Sequence, residues 1–332
     1  MPILHEIAVL EPLRAEWAAL WSRVPDATPF QHPAWLIPWW RHVGEGESCT
    51  LALREAGELV ALVPLYIWRR RLFPLGIGTT DYLDALALPG HAEAAMAAAL
   101  GWIAAERGRF DVVEWPQLRP GSPLLLGAAP PGWAERVEPA EACPVLHLPA
   151  EVEGLRERVS GKTLRDLRTA RRRAAEAGVA VEEVTEETLP AYRAALVALH
   201  AARWRTRQEE GVLAAPGVQA MQAESMREML AAGLLRMFGL RAEGRIVAVV
   251  HALADPPGRA ARSLYLYLQG FDPGFERISP GLLLVGEACE RAVAEGFATL
   301  DFLRGQERYK SFWGVQDAPT FRRVLTPPEA TA

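Results

Sequence analysis

Apolar runs bounded by Gly and Pro at 59–67, 246–254 and 263–271 predict buried strands. Apolar residues recurring every three or four positions at 90–107, 188–206 and 281–295 predict helices. Gly108 and Gly296 stand where the first and third of these should stop. The aromatic stretch "FQHPAWLIPWW" (30–40) predicts a helix begun by Pro33. Its tryptophans either pack on a first sheet, the commoner fate of aromatics, or offer ring faces to sugars.

The pattern occurs twice. When "LALREAGELVALVPLYI" (51–67) is set against "FGLRAEGRIVAVVHALA" (238–254), Leu53, Arg54, Gly57, Val60, Ala61 and Val63 fall on Leu240, Arg241, Gly244, Val247, Ala248 and Val250, an offset of 187 residues. The same offset lays "FDVVEW" (110–115) on "FATLDF" (297–302), with Glu114 opposite Asp301 and Trp115 opposite Phe302. Two separated matches in one register predict an internal duplication, each half running strand, turn, strand, helix, strand. The expected fold class is α/β, with mixed sheets flanked by helices. Two domains are expected, 1–150 and 151–332, with "PGWAERVEPAEACPVLHLPAE" (131–151) as the boundary.

Composition narrows the possibilities. A chain of 332 residues, half of them apolar, suits two cores better than one. No apolar run reaches the length of a membrane span, and no basic region followed by a long apolar stretch opens the chain. Cys49, Cys143 and Cys289 are far apart and lack metal-ligand spacing, so a cytoplasmic protein without structural metal is expected. A net charge of −5 gives no general attraction to DNA or anionic lipid. Asn is absent and Arg supplies nearly all positive charge, as GC-rich coding would produce. Against that background the two lysines, Lys162 and Lys310, are candidates for places that need a compact ammonium.

Candidate chemistry falls in four segments. In 160–178, Ser160 is placed to cap a helix on which Arg165, Arg168 and Arg172 share a face. Six basic residues between 162 and 173 meet one acid, Asp166, which fits either an anion-binding face or a solvated one. In "LVALHAARWRTRQ" (196–208), His200, Arg203 and Trp204 stand at i, i+3 and i+4 and can meet one ligand, or His200 can be a buried structural residue. In 264–288 a Tyr-rich strand leads to a helix start with Ser279 as N-cap, Pro280 at the first turn and Gly281 leaving room for an anion. Finally, "FLRGQERYKSFWG" (302–314) mixes Arg304, Glu307, Tyr309 and Lys310 with aromatics, either as a catalytic group or as a structural lattice. No phosphate-binding glycine loop, dinucleotide fingerprint or hydrolase elbow is present.

Taken in order, "LHAARW", "YLYLQGFDPGFERISPGLLL" and "FATLDFLRGQERYKSFWG" resemble the CelD/BcsL-like (BioF2-like) acetyltransferase family of the GNAT superfamily, which is related to the Fem-type aminoacyl transferases. The resemblance covers most of 160–315, with looser agreement at "FQHPAWLIPWW" and "GELVALVPLY". It implies two tandem GNAT-like domains and direct acyl transfer, acetyl foremost, from acyl-CoA as co-substrate. The implied acceptor is an amine or hydroxyl of a small molecule or of an envelope or polysaccharide precursor. Simple GNAT enzymes carry a Q/R-x-x-G-x-G/A loop for the coenzyme A pyrophosphate, whereas this chain reads "GFDPGFERISPG" there. Acyl transfer is therefore implied more firmly than coenzyme A as donor. The alternatives are a Fem-type enzyme using aminoacyl-tRNA, which the negative net charge opposes, and a non-catalytic glycan- or partner-binding protein. In the leading reading Asp301 ends a strand at the sheet's open edge. Glu307 accepts the proton directly or through water, with His200, Asp301, Tyr309 and Lys310 completing the catalytic group. Ser279, Gly281 and Arg304 hold the donor. Arg165, Arg168, Arg172, Arg203 and Trp204 hold the acceptor. Lys310 or Arg304 clamps an anionic substrate, and Phe312 and Trp313 anchor the segment in the core.

Overall fold

The computed structural model describes residues 4–205, 211–305 and 307–328, with the side chains of residues 4, 5 and 203–205 outside the described set. The chain forms two compact units, residues 1–141 with 319–332, and residues 142–318.

Each unit is built on a hairpin. In the first, strands Leu51–Glu55 and Glu58–Val63 meet at Ala56 and Gly57, with φ of 52° and 86°. In the second, Leu235–Ala242 and Arg245–Ala254 meet at Glu243 and Gly244, with φ of 51° and 74°. Two left-handed residues in succession give a turn whose twist matches that of the strands. The pairing slips once in each hairpin: Leu53↔Ala61 is followed by Arg54↔Leu59, and Leu240↔Ala248 by Arg241↔Ile246. The bulge therefore recurs at the offset of 187 residues seen in the sequence. The arginine beside it is used alike in both copies. Arg54 donates to the Gly57 carbonyl (3.2 Å) and pairs with Glu6 on edge strand Leu4–Ile7 (3.1 Å). Arg241 donates to the Gly244 carbonyl (3.0 Å) and pairs with Glu182 on edge strand Ala180–Glu183 (2.8 Å). The duplication extends to its ion pairs.

The copies diverge after the hairpin. In the second unit strand Ser263–Phe271 runs antiparallel to Arg245–Ala254 and parallel to Thr299–Asp301. One seven-stranded sheet results, in the order Ala180–Glu183, Leu235–Ala242, Arg245–Ala254, Ser263–Phe271, Thr299–Asp301, Cys143–His147 and Gln316–Ala318. In the first unit the same role is split between Arg71–Pro74, parallel to Val112–Leu118, and Leu86–Ala87, antiparallel to Glu58–Val63. Its strands consequently fall into a four-stranded and a six-stranded sheet. The run expected as one strand over 59–67 is likewise broken at Pro64, which has no N–H for a ladder.

The division between the units falls within 131–151, the stretch expected as the boundary, and that stretch is itself built of strands: Ala134–Pro139 pairs with the C-terminal strand Phe321–Thr326 in the first unit, and Cys143–His147 joins the second unit's sheet. Gly108 does not stop the helix Ala92–Ala105, which ends at Glu106 before a short 3-10 turn over Arg107–Arg109. The tryptophans Trp35 and Trp39 of helix Pro33–His42 are 0% and 2% exposed, so they pack in the core, the first of the two fates expected of them, and present no face to a sugar.

In the second unit helices cover both faces of the sheet. On one face Gly161–Glu176 and Pro280–Ala294 bury Leu167, Ala170 and Ala174 with Leu284, Ala288 and Ala292. Their close approach depends on Gly286, where a Cβ would lie 2.6 Å from a Leu167 methyl. The first helix starts as expected, Ser160 Oγ accepting from Thr163 N–H (3.1 Å). The second stops at Gly296 (φ 74°), whose N–H bonds the Val293 carbonyl while Phe297 N–H reaches Ala292. The opposite face carries Leu189–Arg205 and Pro216–Ala231, two helices whose connection includes residues 206–210, outside the described set. Among the described residues no helix is long and apolar enough to cross a membrane.

Candidate active site

An interior strand of a helix-covered sheet should be sealed along its length, but Ser263–Phe271 is not. Its parallel ladder ends after Ser263↔Thr299, Leu264↔Leu300 and Tyr265↔Asp301, and Leu266, Tyr267, Leu268 and Gln269 are half-buried. The neighbouring chain is drawn away at this level. Leu303 adopts φ 56° and Gly305 φ 111°. Asp301, 5% exposed, accepts from Leu303 N–H (2.8 Å) and holds the first of these turns. Lys310, 4% exposed, donates to the carbonyls of Leu303 (3.2 Å), Arg304 (2.6 Å) and Gly305 (3.1 Å), and pairs with Glu307 (2.9 Å). The three N–H groups of an ammonium leave one atom, so these acceptors converge on a single point rather than along the fork of a guanidinium. The result is a fork between two parallel strands.

Its other wall is irregular as well. Pairing with Arg245–Ala254 passes from His251↔Leu268 to Ala252↔Leu266, leaving Tyr267 as an extra residue in a bulge. Past the bulge the strand leads to helix Pro280–Ala294, whose residue Gly281 lies over the Phe271 ring, a Cβ there being 3.4 Å from it. Half-buried Leu266, Leu268, Phe271 and Leu282 give the fork an apolar lining, and among the described residues the strand has no ladder partner on that side beyond Tyr265, so an extended ligand can be added along it.

The residues singled out from the sequence sort themselves accordingly. Asp301, Arg304, Glu307, Tyr309 and Lys310 are brought together at the fork, and Gly281 stands at its mouth. Asp301 does not lie at a sheet edge, because Thr299–Asp301 is flanked by Ser263–Phe271 and Cys143–His147. Lys310 does not face a substrate, since its donors are turned inward on the loop carbonyls. Tyr309 packs on Phe302 with ring centroids 6.4 Å apart. Ser279 is not a side-chain N-cap: it takes a left-handed conformation (φ 52°, ψ 60°) and its hydroxyl makes no cap bond. Trp313 anchors the segment at 2% exposure, whereas Phe312 is 46% exposed. His200 is buried on the opposite face, its helix pressed on Gly270, where a Cβ would be 2.9 Å from His200 N. The side chains of Arg203 and Trp204 lie outside the described residues. Arg165 and Arg168 line a groove of about 520 Å³ with Arg156, Arg171 and Leu164. Arg172 is not part of that lining and lies 3.8 Å from Glu176.

Sequence reasoning missed His251. It is fully buried next to the bulge, its ring edge-on to Tyr267 at 5.3 Å, and burial pushes its pKa down to about 3. The signal was present, a lone polar residue inside the apolar run "IVAVVHALA". Among the described residues no three His, Cys, Asp or Glu side chains gather as a metal-ligand group.

Residues 161–311 match the family model of the acetyltransferase (GNAT) domain, a span that contains the whole fork. No curated protein matches the chain. Among solved structures, a C-terminal DUF2156 domain of a lysylphosphatidylglycerol synthetase from Agrobacterium fabrum is similar at 15% identity, with a TM-score of 0.63 over 95% of this chain and 92% of that one. FemX is similar at 10% identity, with a TM-score of 0.63 over 97% of both chains. A tandem GNAT protein from the clavulanic acid biosynthesis pathway shares 14% identity, with a TM-score of 0.51 over 99% of this chain and all of that one. At these identities the likeness is one of fold, and it fits the duplication: the chain is two tandem GNAT-like domains.

Proposed function

We propose that the second unit transfers an acyl group, acetyl foremost, from acyl-CoA to an amine or hydroxyl of a small-molecule or polysaccharide-precursor acceptor. The observation that carries this reading is the fork, where an apolar-lined strand continues past its last ladder pair, from a bulge to a helix start. An extended thioester arm would lie along 266–269 as an added strand. Its pyrophosphate would meet the start of Pro280–Ala294, where Gly281 keeps side-chain bulk away and backbone N–H groups are free. The thioester carbonyl would then sit at the bulge, where strand N–H groups can hold the developing oxyanion. Attack by the acceptor expels the coenzyme A thiolate, so no covalent enzyme intermediate is needed. The acceptor must also lose a proton.

Glu307 is the proposed proton acceptor, directly or through water. It is the carboxylate at the fork that keeps partial exposure, with a third of its side chain open, whereas Asp301 is committed to Leu303. Lys310 and Asp301 are positioning residues that hold the fork open. Thermal shift with acetyl-CoA tests donor binding, because a ligand bound to the native state alone raises the melting temperature. Glu307→Gln should lower turnover by about 10²–10⁴-fold with unchanged donor affinity. Unchanged turnover would remove Glu307 from the chemistry.

The Fem-type alternative keeps one specific support. Arg156, Arg165 and Arg168 are exposed on one groove and make no ion pair among the described residues, which suits a polyanionic ligand. Salt-dependent binding of tRNA that Arg165→Gln and Arg168→Gln together abolish would favour it.

A further inference from the structure

The face of the second sheet that carries Leu189–Arg205 and Pro216–Ala231 should be apolar where it is sealed. Around the bulge it is not. Gln222 and Ser225, one turn apart on Pro216–Ala231, are 2% and 0% exposed, and His251 is 0% exposed. Gln222 Nε2 reaches the Tyr267 hydroxyl at 3.4 Å, and the His251 ring meets the Tyr267 ring edge-on. Yet Gln222 Oε1, Ser225 Oγ and both ring nitrogens of His251 have no hydrogen-bond partner among the described residues. A buried polar atom left without a partner costs about 1–3 kcal/mol, and folded proteins hold few of them. Here they sit together, joined through Tyr267, at the residue that shapes the fork.

The first unit serves as an internal control. At the offset of 187 residues Pro64 stands in place of His251. The helix that precedes that hairpin, Pro33–His42, buries Trp35 and Trp39, and Trp39 packs edge-on to Tyr66 at 5.3 Å. One copy of the duplicated unit has filled this face with aromatic rings. The other has kept an amide, a hydroxyl and an imidazole.

We infer that Gln222, Ser225, His251 and Tyr267 form the pocket for an uncharged hydroxyl- or amide-bearing part of the acceptor. The open valences consist of an amide oxygen that accepts, a hydroxyl that does both, and an imidazole with one donor and one acceptor nitrogen. Among the described residues no charged side chain belongs to the cluster. A phosphate or ammonium placed there would be desolvated without a counter-charge, a cost far above that of a hydroxyl or amide. Burial keeps the His251 ring neutral at ordinary pH, which leaves one nitrogen free to accept. The cluster meets the fork at Tyr267, so the inference rests on the acyltransferase reading for its role.

The test uses the full chain with ¹⁵N-labelled histidine, the His251 ring signals being assigned from His251→Gln. Methyl α-glucoside supplies hydroxyls, N-methylacetamide an amide, and methylammonium a charge. Saturable shifts of the His251 signals by either neutral probe are expected, with at least tenfold weaker binding in Ser225→Ala and Gln222→Leu. Ser225→Ala removes an unpartnered buried hydroxyl and should melt no lower than the parent, which separates lost binding from lost folding, whereas Gln222→Leu also gives up the Nε2 contact with the Tyr267 hydroxyl. The inference is overturned if neither neutral probe moves the His251 signals, if the variants bind them equally, or if methylammonium binds more tightly. Acetyl-CoA thermal shift, run in parallel, keeps the two readings apart. A neutral probe that binds where acetyl-CoA does not would refute the acyl-CoA donor and leave the pocket standing.

Discussion

Lys310 shows how far a single residue can be read. Its rarity in an arginine-rich chain marked it as special, and the structure agrees, but its ammonium is directed at the loop rather than at a substrate. Direction was invisible because three of its partners are main-chain carbonyls, which every sequence has everywhere. Lys310→Met leaves those carbonyls and Glu307 without their buried cation, and should destabilise the protein by about 3–5 kcal/mol in urea unfolding. Unchanged stability with a raised Michaelis constant would restore the substrate-clamp role. His251 makes a second prediction at this scale. Its folded pKa of about 3 lies below the unfolded value near 6.5, so the unfolded chain binds more protons between those limits. Stability should therefore fall as pH drops from 6.5 toward 3, with a slope from this group approaching about 1.4 kcal/mol per pH unit. Acid unfolding of His251→Gln should lack that component, and an identical slope in both proteins would show that the ring is not held neutral.

At the scale of elements, the hairpin and its offset could be read from the sequence because glycine and bulge positions leave a mark. Gly57 and Gly244 supply left-handed turns, and Arg54 and Arg241 sit beside the slip in register. The helices starting at Pro33 and Ser160 could be read for the same kind of reason. The fork could not, since it arises where a ladder stops, and no residue pattern encodes an absent pairing. Nor could the capping role expected of Ser279, because Ser suits an N-cap by propensity while this position takes a left-handed conformation that propensity does not foresee. Gly270 offers a direct check of how closely helix Leu189–Arg205 must approach the bulged strand. A Cβ there would lie 2.9 Å from both His200 N and Leu199 Cβ, so Gly270→Ala should cost about 1–3 kcal/mol by overpacking. Gly101 has open space around its Cβ position and is helical, so Gly101→Ala should stabilise by about 0.5–1 kcal/mol. Equal effects at both positions would mean that the helix is not in tight contact with the strand.

For the whole molecule, one hairpin-based unit occurs twice, and among the described residues only the second copy holds the fork. The first copy lost the continuous strand that forms the fork, with Pro64 interrupting its hairpin and Trp35 and Trp39 filling the face that stays polar in the second. The C-terminal strand Phe321–Thr326 belongs to this first unit, which the sequence did not reveal because its partner Ala134–Pro139 lies in the stretch expected as the domain boundary. The central claim is that acyl-CoA binds in the fork of the second unit. Amide hydrogen exchange with and without acetyl-CoA tests it most directly. Slower exchange is predicted for 266–271 and for the start of Pro280–Ala294, with no change over the matching hairpin 51–63. Protection confined to the first unit, or none anywhere at saturating acetyl-CoA, would contradict it.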